Sequence, residues 1–174
     1  SAMTVNVNDV YTLFYDKIEC DEDFFDYFNV SEEEAMMLAA ERARSYLREA
    51  CCYLRRHSDL DFVLNIVSSE DALGRQTDSF EVEITDDEAD LLAEIMKVIY
   101  YERGVSKLLP KLNAFSSSEL KLLHSPANER STFLALVKEY WKRVNYLIAD
   151  YDGRDRLTGS HKALTTTLPE ESDE

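Results

Sequence analysis

Glycine, proline and cysteine are all scarce in this 174-residue chain, at four, three and three residues. Four glycines cannot build a phosphate-binding loop, which needs several of them within a few positions for tight turns and close backbone approach. The cysteines, Cys20, Cys51 and Cys52, lack the paired spacing of a structural zinc site. Cys51 and Cys52 are neighbours in an expected helix, a poor geometry for a mutual disulfide. His57, His124 and His161 form no zincin-type pair. Neither His57 nor His124 has a glutamate three residues before it, so the helical di-iron arrangement fails on spacing. No long apolar run is present, and no segment reads as a membrane span or signal peptide, which points to a reducing, cytoplasmic place of synthesis. Positive charge is also in deficit: 19 Lys and Arg stand against 35 Asp and Glu, a formal net charge of −16. Such a chain has no electrostatic footprint for a phosphate backbone, which disfavours nucleic acid and anionic membranes as direct ligands. Solubility, steering toward basic partners and imitation of DNA remain as uses of the charge.

What is present is a core. Hydrophobic residues make up 45% of the chain, with ten tyrosines and eight phenylalanines, enough for one folded domain. Ser1-Ala2-Met3 reads as a cloning remnant before a start at Met3, and residues 1–7 as a lead-in. Residues 8–152 read as a helical domain, and residues 153–174 as an extended C-terminal arm with an acidic tail.

Helical spacing runs from Asp9 to Ile18 with Asn8 as the expected N-cap. The acid- and aromatic-rich stretch from Asp21 to Phe28 reads as a short helix or turn anchored by Phe24 and Phe25. Its aromatics are expected in the core and its acids in water. The competing reading, an acidic patch with aromatic anchors for a basic partner, is the less favoured, because charge runs are usually solvated faces. Ser31 to Glu34 is a capping box opening a helix over 32–57 whose apolar face includes Ala39, Ala43, Leu47 and Leu54. Residues 62–67 and 80–84 are the candidates for one short hairpin, with Gly74 to Ser79 as loop. Thr85 to Glu88 is a second capping box, with Ile84 as its hydrophobic staple. It opens a helix over 86–103 that Gly104 can close, with Pro110 breaking the apolar segment beyond it. A short capped helix is expected at residues 116–124. Ser125-Pro126 opens the last helix, 127–152, whose wide apolar stripe makes it the expected centre of the bundle, with Gly153 as its stop. The fold class is therefore mainly α: a helical bundle with one short β-hairpin and an extended C-terminal arm.

No local constellation supports catalysis, a cofactor or a metal. Setting Gly153 at the invariant glycine of a calcium loop puts Ile148 at the first ligand position and Gly159 at the last, so two essential ligands are missing.

Two motifs in the last third, "HSPANERSTFLALVKEYW" and "LIADYDGRDRLTGSHK", together with the upstream "EITDDEADLLAEIM", resemble small proteins encoded among the structural genes of tailed phages and prophages of Gram-positive bacteria. These lie near portal and capsid genes and are assigned as head–tail connector or neck proteins. The resemblance implies a non-enzymatic, mostly helical adaptor, made in the bacterial host cytoplasm and built into the virion. It implies assembly as a homo-oligomeric ring and docking to portal or tail-completion proteins, without sequence-specific nucleic-acid binding. In that setting the segment Arg154, Asp155, Arg156, Leu157, Thr158, Gly159 and Lys162 is the expected partner-binding arm. Gly159 permits close backbone approach, and Arg154 and Arg156 can pair with carboxylates of neighbouring copies. The rival from another class is an acidic DNA mimic acting as an anti-defence inhibitor. Against it, Arg42, Arg44, Arg48, Arg55 and Arg56 offset the acids of their helix.

Overall fold

The computed structural model describes residues 4–19, 22–113 and 126–163; the side chains of 22–23, 105–113, 126–130 and 132–133 lie outside that description. The bundle begins with α1 (Val7–Lys17), which is capped by Asn6 and not by Asn8. Asn6 has an aspartate three positions on, so the two close a reciprocal box: each side chain accepts the other's backbone N–H at 2.9 Å. Moving the cap back two residues also brings Val7 into the helix, where it is buried with Val10 and Phe14 at helical spacing.

The short α2 (Glu22–Phe25) inserts Phe24, fully buried, edge-on against Phe14 with ring centroids 5.4 Å apart. Tyr46 and Tyr100 complete this aromatic cluster. The Arg42 guanidinium lies over the Phe24 ring at 4.8 Å from its centroid and donates to the Tyr46 hydroxyl. α3 (Glu32–His57) starts on the expected Ser31–Glu34 box and buries Ala39, Ala43, Tyr46, Leu47, Ala50, Cys51 and Leu54.

A hairpin comes next, shifted from its expected place. β1 (Ile66–Glu70) pairs antiparallel with β2 (Gln76–Phe80), Ile66 facing Phe80 and Glu70 facing Gln76. The turn sets this register. One oxygen of Asp71 accepts the N–H groups of Leu73 and Arg75, and Gly74 supplies the left-handed residue at φ +75°. The stretch from Gly74 to Ser79, expected as loop, is therefore mostly strand. Arg44 of α3 pins the hairpin by reaching Asp78 at 2.7 Å.

α4 (Asp86–Asn113) is the centre of the bundle, in place of the last helix. It packs against α1, α3 and α5 (Pro126–Asp152), whereas α3 and α5 barely meet. The reason lies in what surrounds it: residues 91–96 are buried on every side of the helix, Glu94 included. A helix apolar all round needs neighbours all round. α5 buries a narrower stripe, Val137, Val144 and Ile148. α4 also runs on through Gly104 and Pro110 to Asn113 instead of closing at Arg103. Gly104 does not take the left-handed conformation that ends helices. The helix expected at 116–124, the cap Ser125 and the tail from residue 164 lie outside the described residues.

Candidate interaction site at the C-terminal loop

The Thr85–Glu88 capping box does more than start α4. The Glu88 carboxylate accepts the Thr85 N–H at 2.9 Å while the Glu88 N–H donates to the Thr85 hydroxyl at 3.2 Å. Glu88 is also fully buried, with a relative exposure of 0%. A charge without water must be hydrogen-bonded to be tolerated. Two further donors come from the other end of the chain: the Tyr151 hydroxyl, on the last turn of α5, and the Arg156 guanidinium Nε at 2.7 Å. Arg156 donates in addition to the Glu83 carbonyl and lies over the Phe62 ring, 4.2 Å from its centroid. Burial, with the hydrogen bond to Glu88, pushes the Tyr151 phenol well above its ordinary range, so it stays a donor.

Beyond Asp152 the chain turns back on itself instead of running extended. Lys162 N–H donates to the Gly153 carbonyl at 2.8 Å, Asp155 N–H to Ser160 at 2.7 Å and Gly159 N–H to Asp155 at 2.9 Å. Arg154 bridges to His161 and spans the loop, its guanidinium donating to Asp150 and to the Gly159 carbonyl at 3.0 Å each. At the tip, one Asp155 oxygen accepts the N–H groups of Leu157 and Thr158 and the Thr158 hydroxyl. The Thr158 N–H above all, then the Thr158 hydroxyl and the Leu157 N–H, hold the Asp155 carboxyl below the usual aspartate range. Gly159, at φ +70°, is the residue that needs left-handed freedom here. Gly153 follows α5 directly, where the glycine stop was expected, but without a left-handed φ.

The expected arm residues thus divide in two. Arg154 and Arg156 point inward and pair with this chain's own Asp150 and Glu88. Leu157 is 79% exposed at the tip, and Thr158 and Lys162 are exposed beside it. Between the loop and the helix ends lies a cleft of about 360 Å³. Asp87, Asp90 and Leu91 of α4, Leu147 and Asp150 of α5, and Arg154, Asp155, Arg156 and Gly159 of the loop line it. A smaller hollow of about 150 Å³ shares Arg154, Asp155 and Arg156 with it and includes Lys162 and Asp61. Glu88, the residue that joins the two ends of the chain, was legible only as a capping residue. Its further signal was the pairing of a capping glutamate with a downstream stripe ending in Tyr151.

No group of three or more His, Cys, Asp or Glu among the described residues is placed to hold a metal ion. Cys51 and Cys52 are free thiols; burial pushes the Cys51 thiol up to about 12, where it is not a thiolate at neutral pH. His57 stacks on Tyr53, and His161 sits in the loop bridge. No helix among the described residues is long and apolar enough to cross a membrane.

Among the described residues the class this defines is mainly helical: four helices packed together, beside the one-turn α2, with one two-stranded antiparallel hairpin. Comparison with protein-family models, with curated proteins and with solved structures finds no match to the chain.

Proposed function

We propose that the chain is a non-enzymatic structural protein of a tailed-phage virion, a head–tail connector or neck adaptor that acts by ring assembly and by docking to portal or tail-completion proteins. The observation that carries this reading is the construction of the C-terminal loop. A ten-residue stretch with almost no core of its own is closed by backbone hydrogen bonds, clamped to α4 through Arg156 and Glu88, and used to hold Leu157 out in water. A rigid loop with one apolar side chain at its tip is the form in which binding energy is delivered without an ordering cost on association. The motif likeness within residues 83–162 supplies the virion setting, and the net charge of −16 suits a surface past which DNA must slide without sticking.

The test is size-exclusion chromatography with light scattering on the chain mixed with a tailed-phage portal protein encoded beside it. The proposal expects a ring-sized complex or co-elution, lost in Leu157→Asp while that variant's melting temperature stays that of the wild type. Absence of any complex with portal or tail-completion proteins would overturn it. So would displacement of DNA from a nuclease by the chain, the behaviour of a mimic.

A further inference from the structure

The first two turns of α3 break the pattern that the rest of the helix keeps. From Ala43 to Leu54 buried residues recur every three or four positions. Residues 35–40 read Ala-Met-Met-Leu-Ala-Ala, and of these only Ala39 is buried. Met36 is 54% exposed and Met37 63% exposed, and Phe28, just before the Ser31 cap, is 90% exposed. Met36 falls on the same stripe as Ala39 and Ala43, so the face that meets the core continues past the part of the bundle that covers it. Runs of exposed apolar residues on a helix are retained where something else covers them. Methionine, unbranched and polarizable, is the side chain that adapts to an incoming apolar surface.

Charge identifies what would cover it. Residues 21–41 contain no Lys, Arg or His. Asp26, Glu32, Glu33, Glu34 and Glu41 are all exposed around the apolar run. The nearest cation along the helix, Arg42, is turned in over the Phe24 and Tyr46 rings. A second copy of this chain would bring its own net charge of −16 to these acids, and an anionic bilayer would be repelled by them.

We infer that the N-terminal end of α3, with Phe28, Met36 and Met37 as apolar anchors inside an acidic surround, docks a basic amphipathic segment of a partner protein. The apolar face of that segment meets the two methionines and the phenylalanine, and its Lys and Arg meet the glutamates. The surface shares no residue with the C-terminal loop and stands whether or not the virion reading does.

The probe is a fluorescein-labelled amphipathic Leu/Lys peptide of about 18 residues, titrated by anisotropy against the wild type and four variants. Affinity is expected to fall at least ~tenfold in Met36→Ser/Met37→Ser and in Phe28→Ser, and to be unchanged in Leu73→Ser, at the exposed hairpin turn. Glu32→Gln/Glu33→Gln is expected to weaken binding and flatten its salt dependence. All these positions are exposed, so melting temperatures should match the wild type and report that each variant is folded. Equal affinity across the series would overturn the proposal. So would a dimer by light scattering that Met36→Ser/Met37→Ser returns to monomer, or binding to phosphatidylserine vesicles that the same variant abolishes.

Discussion

α3 and α4 both begin on a hydroxyl residue followed by three acids, Ser31-Glu32-Glu33-Glu34 and Thr85-Asp86-Asp87-Glu88, and both close the reciprocal hydrogen bonds of a capping box. From there they diverge. Glu88 is fully buried and gathers Tyr151 and Arg156, so the start of α4 becomes the seat of the C-terminal loop. Glu34 remains in water, and the apolar residues beyond it stay uncovered. The local code is the same because it answers a local problem, the orphan N–H groups of a first turn. Whether the capping carboxylate then becomes a buried hub or stays a solvated charge depends on what the chain brings to it from far away. At α4 that is a segment some 63 to 68 residues later. At α3 nothing among the described residues does so.

The largest effect should come from the buried member of the pair. Glu88→Ala leaves Arg156 Nε and Tyr151 without their acceptor in a largely dry site and also removes the acceptor of the Thr85 N–H. A loss of about 3 kcal/mol in chemical denaturation is expected. Glu34→Ala removes only an exposed capping partner and should cost about 0.5 kcal/mol. Equal losses would break the comparison.

Next in size is the loop that Glu88 holds. Gly159→Ala places a Cβ in open space but in a left-handed backbone, and should cost about 1 kcal/mol. Gly153→Ala meets only ordinary contacts, at 3.5 Å from two carbonyl oxygens, and should be close to neutral in the same denaturation experiment. The reverse order would mean that the loop is held by a glycine stop at the helix end and not by its own turn.

The smallest effect concerns pH. Burial alone would raise the Glu94 carboxyl, but hydrogen bonds from Lys17 and Lys97 outweigh it and leave its pKa below the ordinary glutamate value. Folding therefore favours the ionised form. The stabilisation is present above the unfolded glutamate pKa of about 4.3 and is lost as pH falls through the folded value. Lys17 is pushed down by burial and up, by more, through Asp90 and Glu94. Its contribution is complete below the ordinary lysine range and fades only as pH rises through its higher folded value. Glu94→Gln should flatten the acid limb of melting temperature against pH and leave the slope between pH ~6 and ~8 unchanged from the wild type.

Much of the bundle was legible because its signals are local. The two capping boxes on α3 and α4, the stripe from Ala39 to Leu54 and the proline start of α5 each arise within a few residues, and each stands where expected. The parts that were not legible depend on partners distant in sequence. The centrality of α4 is set by which helices surround residues 91–96, and their apolarity alone did not decide it. The hairpin slid because the Asp71 side chain and Gly74 define a turn that an alternation count over 80–84 does not see. Phe28 and Phe24 look equivalent in sequence, yet Phe24 is buried and Phe28 almost wholly exposed, because only Phe24 meets Phe14 and Tyr100. That residues 154 to 162 form a turn-rich segment was legible, but not the direction of its side chains. Two arginines read as reaching outward are held inward, one by a neighbouring aspartate and the other by a glutamate that local pattern showed only as a cap.

Hydrogen exchange on Glu88→Gln against the wild type tests most directly the claim that one buried capping carboxylate holds the C-terminal loop in place. The amides of Asp155, Gly159 and Lys162, bonded within the loop, are predicted to exchange at least ~tenfold faster while the first turns of α3 keep their wild-type rates. Unchanged protection of those three amides would contradict it.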